Sequence, residues 1–141
     1  MLTFDWDEVT VGDSRVQEAL ACLIEEFGNY QVHVRVSSSG EGLHVVIAER
    51  TYDHDNGKSH LIPRPLEPEQ SQQWRIKFAE EPWLLECKGR LESDRPRAQV
   101  GLAIGRLFGN KNGALSGPWM LATQCLQEQE VISEVIGEPH G

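Results

Sequence analysis

The chain has 141 residues, a quarter of them charged and 7% aromatic, which fits one domain with a core of its own. Its formal net charge of −9 excludes wholesale electrostatic capture of duplex DNA, so any nucleic-acid contact must rest on a local positive patch. No apolar run nears membrane-spanning length, no signal pattern opens the chain, and three scattered cysteines (Cys22, Cys87, Cys125) argue against a disulfide framework or zinc site and for a reducing, cytoplasmic setting.

Met1 to Asp7 alternates, with Leu2, Phe4 and Trp6 on one side and Thr3, Asp5 and Asp7 on the other, so it predicts a strand with one buried face. Ser14 reads as a helix N-cap with Gln17 completing a capping box. Val16, Leu20, Leu23, Ile24 and Phe27 form the apolar stripe that follows, and Gly28-Asn29 stops it. Tyr30 to Ser37 predicts a second strand, with Val32, Val34 and Val36 opposite His33, Arg35 and Ser37. Leu43 to Glu49 predicts a third, with Leu43, Val45 and Ile47 opposite His44, Val46 and Ala48. Arg50 to Pro65 is polar, and its Asp53-His54-Asp55-Asn56-Gly57 run lacks the full spacing and terminal glutamate of a calcium loop; it reads as a turn. Pro68 opens a second helix through Glu81, Pro82 ends it, and Trp83 to Lys88 reads as a fourth strand with Trp83, Leu85 and Cys87 inward.

The order strand, helix, strand, strand, helix, strand is that of an α+β, ferredoxin-like split βαβ core: an antiparallel sheet with both helices on one face, over residues 1–90. The opposite face then gathers Asp5, Asp7, His33, Arg35, Ser37, His44, Glu86 and Lys88. An open antiparallel face is often merely solvated, but two acids at i and i+2 beside two histidines favour a site. The turn Ser37-Ser38-Ser39-Gly40-Glu41-Gly42 supplies hydroxyls, freed amides and two glycines for close approach of an anion. Oxygen donors such as Asp5 and Asp7, with Glu86 as a third, suit Mg²⁺ or Mn²⁺. His44, Ser37, Ser39 and the amides at Gly40 and Gly42 could hold a triphosphate, with Arg35 and Lys88 offsetting its charge. His33 and His44 stand on separate strands, so the His-x-His element of a nicking enzyme is missing.

Phe4-Asp5-Trp6-Asp7 and Ser39-Gly40-Glu41-Gly42-Leu43-His44-Val45, with one helix and one strand between them, resemble the first two motifs of the archaeo-eukaryotic primase superfamily, which includes the primase-polymerases of viruses and plasmids. The resemblance covers residues 1–48, about a third of the chain. It implies an RRM-like catalytic core in which Asp5, Asp7 and a later acid bind divalent metal and His44 contacts the phosphates of an incoming nucleotide. The third motif, a hydrophobic residue followed by an acid, is met by Leu85-Glu86, with Glu where Asp is usual; Asp94, read as loop, is the other candidate.

Beyond the core, residues 91–136 form an extension and 137–141 a frayed tail. Arg90, Arg95, Arg97, Arg106 and Lys111 collect basic residues, and Arg95, Arg97, Arg106 and Lys111 are the candidate contacts for a single-stranded template. Val100 to Phe108 is apolar, Gly109 to Gly113 a turn, Trp119 and Met120 are expected to close the core, and Leu121 to Ile136 to be helical. The expected function is that of a primase-like nucleotidyltransferase, joining nucleoside triphosphates on a template in replication with Mg²⁺ or Mn²⁺. The alternatives are a catalytically inactive RRM-like module for nucleic acid or a protein partner, and an accessory protein whose acidic surface meets a basic one. Phe4 and Trp6 fall on the buried side, which weakens base stacking of the RRM type.

Overall fold

The computed structural model describes residues 1–105, 107, 110–111 and 114–135. The elements run β1 (Thr3–Asp7), α1 (Ser14–Phe27), β2 (Val32–Val36), β3 (Gly42–Tyr52), β4 (Ser59–Pro63), α2 (Pro68–Ala79), α3 (Lys88–Gln99), β5 (Asn110–Lys111), β6 (Ala114–Leu115), β7 (Met120–Leu121) and α4 (Ala122–Val135). Among the described residues the architecture is α+β: a five-stranded antiparallel sheet in the order β1-β3-β2-β7, with β4 paired to the far end of β3, and four helices, consistent with the ferredoxin-like core expected.

Alternation does the sorting. Leu2, Phe4 and Trp6 are fully buried against α1 and α2, with Val34, Val45 and Ile47 from the inner strands, Val16, Leu20 and Leu23 from α1, and Phe78 from α2. Phe78 stands edge-on to Phe4, Trp6 and Trp83, a packing worth more than its buried area alone. Ala122 and Cys125 of α4 join this core, so the extension belongs to the helical layer as well as to the sheet. All three cysteines are free thiols. Among the described residues, no helix is long and apolar enough to cross a membrane.

Several local expectations change. The N-cap of α1 is Asp13, whose Oδ1 accepts the Arg15 amide, while Gln17 donates its side-chain amide to the Val11 carbonyl instead of closing a box. The polar stretch after Arg50 is a hairpin: β3 runs on to Tyr52 and returns as β4, closed by the Asp53–Gly57 turn, in which Asp53 accepts the Asp55 amide. The fourth strand is reduced to one bridge. Glu86 pairs with Trp6 and the Cys87 amide with the Asp5 carbonyl, but Leu84 has φ +52° before them and the chain turns helical at Lys88, so no ladder can grow. The bridge still occupies the outer edge of β1, where the split βαβ order requires it. The opposite edge, beside β2, is filled by β7. Val36 is exposed, Met120 is also exposed, and Trp119 lies on the sheet's other face, so these two aromatic and sulfur side chains do not close the core. The Gly109–Gly113 turn has Gly109, Asn112 and Gly113 outside the described residues, as is the 137–141 tail.

Candidate functional site

Away from the helices, the sheet presents residues in cross-strand rows fixed by register. Asp7 faces Gly42 at the turn; Asp5, His44 and Arg35 form the next row across β1, β3 and β2; Thr3, Val46 and His33 form the one after. Residues two apart on a strand share a face, so the three rows lie side by side.

The middle row is chemically ordered. Arg35 donates from Nε to His44 Nδ1 at 3.1 Å, which leaves the proton of the neutral ring on Nε2, and Nε2 stands 3.7 Å from Asp5 Oδ1. Burial pushes the His44 pKa down to about 4, and the Arg35 and Arg90 guanidiniums push the same way. At neutral pH the ring is therefore an uncharged donor at Nε2. Arg35 is itself held with its guanidinium 4.3 Å over the Trp119 ring.

The turn has two glycines for two reasons. Gly40 has φ +75°, which L side chains rarely adopt. Gly42 meets β1 so closely that a Cβ would come 2.6 Å from the Trp6 carbonyl oxygen. Ser37 Oγ and Ser39 Oγ lie 3.0 Å apart, and Ser39 Oγ accepts the Glu41 amide.

Asp5, Asp7, Ser37, Ser38, Ser39 and His44 line one cleft of about 550 Å³. Its other wall is α3, which contributes Arg90, Ser93, Asp94 and Arg97. These four are spaced i, i+3, i+4, i+7, one face of a helix. That spacing was the readable signal; the segment's charge and Pro96 hide it, and Asp94 passes for loop. Asp94 accepts Arg75 Nη1 at 2.9 Å and the Gly105 amide at 3.1 Å, both on Oδ2.

Glu86 is elsewhere. It does not stand on the open face: its side chain is fully buried at the edge of β1. Oε1 accepts the amides of Asp5 (2.7 Å) and Cys87 (3.3 Å), and Oε2 accepts Arg75 Nε (2.8 Å) and Arg90 Nη1 (3.3 Å). Burial pushes its carboxyl up, against the pull of the two guanidiniums. With both oxygens so occupied it suits a buried counter-ion holding the Asp5 backbone, whereas Asp94, the other candidate, lines the cleft. Arg75, which the sequence reading passed over, is the centre of this network: wholly buried, it also donates to Gln72 Oε1 at 2.8 Å. Arg90 completes it through the Thr3 carbonyl and hydroxyl.

The other expected contacts scatter. Lys88 opens α3 and does not line the cleft, and Arg35 supports His44 from behind it. Arg95 pairs with Glu92 on the exposed α2–α3 side, so that of the basic group's described members Arg90 and Arg97 reach the cleft; Arg106 and the Lys111 side chain lie outside the described residues.

The cleft's acids are hard oxygen donors, the kind Mg²⁺ and Mn²⁺ take one or two at a time alongside water and phosphate oxygen. Among the described residues no group of three His, Cys, Asp or Glu side chains is arranged to hold an ion, so ligand oxygens would have to complete the shell. Comparison of the chain with protein-family models, curated proteins and solved structures found no match.

Proposed function

We propose that this chain is a primase-like nucleotidyltransferase domain that binds nucleoside triphosphates with Mg²⁺ or Mn²⁺ and joins them on a single-stranded template. The observation that carries the reading is the Asp5–His44 pair on adjacent strands, under the serine-glycine turn and inside one cleft. The resemblance of the two motifs to the primase superfamily points the same way.

Each side chain has a role in this reading. Asp5 and Asp7 would hold the metal, with ligand oxygens completing its shell, while Asp94 on the facing wall is held by Arg75 and the Gly105 amide. When bound, such an ion would supply Lewis-acid charge against the negative charge of phosphoryl transfer. His44 donates its Nε2 proton to a phosphate oxygen, and, with a pKa near 4, binds as a neutral donor and does not exchange protons at pH 7. The Ser37 and Ser39 hydroxyls donate to the remaining oxygens, the Gly40 and Glu41 amides being already given to the Ser37 carbonyl and Ser39 Oγ, while Arg90 and Arg97 add positive charge from the facing wall. The base-stacking module is the weaker alternative, since Phe4 and Trp6 are fully buried.

The test is incorporation of labelled nucleotide on a primed or unprimed single-stranded template with Mn²⁺. Asp5→Ala with Asp7→Ala should abolish it while circular dichroism stays unchanged. Incorporation that survives the double substitution removes these acids from the chemistry, and metal-independent nucleotide binding without incorporation marks a binding module instead.

A further inference from the structure

Along the face that carries the cleft, character changes from one end to the other. The turn end has Asp7 and the serines, and the middle row Asp5, His44 and Arg35. Two residues further along β1 and β3, about 7 Å at the rise of a strand, Thr3 and Val46 form the floor of a second hollow of about 300 Å³. Its walls are Leu61 and Pro63 of β4, Leu107 and Trp119. Leu107 also lines the first cleft, and Arg35 joins the two: its Nε holds His44 while its guanidinium lies over Trp119. One continuous surface thus runs from carboxylates and hydroxyls to a mostly apolar hollow.

We infer that this hollow is the base pocket of the nucleotide whose phosphates occupy the Asp5–Asp7–His44 cleft, an inference that rests on the function proposed above. The ligand it fits is amphiphilic in the same sense and over the same length: an anionic end, a sugar as spacer, and a flat, largely apolar ring. Val46 and Leu61 give the ring apolar contact, and the Arg35 and Trp119 pair offers a stacked cation and an aromatic edge. The Thr3 hydroxyl is already committed to the Gly105 carbonyl and Arg90. The pocket therefore selects by shape and stacking, and takes purines and pyrimidines alike.

The experiment compares calorimetric binding of ATP and of inorganic tripolyphosphate, each with Mn²⁺, to the wild-type chain and to Val46→Phe and Leu61→Phe, which fill the hollow from its floor and from its wall. Stacking and burial of a base are expected to make ATP bind about tenfold more tightly than tripolyphosphate. Each Phe substitution should close that gap while tripolyphosphate binding persists, which also reports that the variant is folded; Leu61, only partly buried, guards against misfolding of the Val46 variant. Equal affinities in the wild type, lost together in His44→Ala, overturn the base pocket and leave the phosphate site standing. Failure of both ligands to bind overturns the two readings together.

Discussion

Two groups of acids meet at the outer edge of β1. Glu86 is sealed beneath the edge, its two oxygens shared among two guanidiniums and two backbone amides. Asp5 and Asp7, the residues on either side of its bridge partner Trp6, line a cleft, the first partly exposed and the second exposed. The residue type is nearly the same and the physics opposite. A carboxylate deprived of water must be compensated inside the protein, whereas one at a cleft, beside whatever protein contacts it has, can still be reached by water or a ligand. The lesson is that an acid on the right segment is not yet an acid in the site; what surrounds its oxygens decides.

The sharpest way to break this contrast is to remove the internal compensation. Arg75→Met leaves Glu86 and Asp94 short of a buried partner and should cost about 3–5 kcal/mol in urea unfolding; a loss under 1 kcal/mol would mean that Glu86 is not the buried counter-ion described. Next comes the histidine between the groups. Its folded pKa near 4 lies below the ordinary 6.5, so the unfolded chain binds the extra proton between those values. The associated stability is full above pH 6.5 and is lost as pH falls toward 4, by about 3 kcal/mol at most. Unfolding curves at pH 7.5 and 4.5 should show His44→Asn losing much less over this interval than wild type; equal losses would assign the dependence to other groups, among them His33, whose pKa is also lowered by burial.

Gly42→Ala drives a Cβ against the Trp6 carbonyl and should cost about 1–3 kcal/mol, read as a shifted unfolding midpoint. A neutral outcome there would mean that β1 and β3 can part locally. The smallest stability effect belongs to the cleft: Asp7→Asn should cost less stability than Gly42→Ala yet weaken Mn²⁺-dependent nucleotide binding at least tenfold. A large loss of stability without a binding defect would make Asp7 structural, like Glu86.

Much of this was legible beforehand, for reasons that the particulars make plain. Period-two alternation placed Phe4 and Trp6 inside and Asp5, Asp7 and His44 together outside, because strand register leaves a residue only two faces. The glycine turn announced itself by composition. Glu86 was misassigned because its strand shrank to a single bridge, and a buried ion pair with Arg75 and Arg90 has no periodic signature. The α3 wall was missed because Arg90, Ser93, Asp94 and Arg97 read as a charged loop until their helical spacing is taken seriously. The pairing of Arg35 with Trp119 joins residues far apart in sequence, and nothing local foretells it.

The most direct measurement is anomalous scattering from crystals soaked with Mn²⁺ and a non-hydrolysable nucleoside triphosphate. Manganese density is expected against the Asp5 and Asp7 carboxylates, with triphosphate oxygens reaching His44 Nε2 and the serine turn. Manganese and nucleotide bound away from this cleft, or in it without touching either aspartate, would contradict this reading.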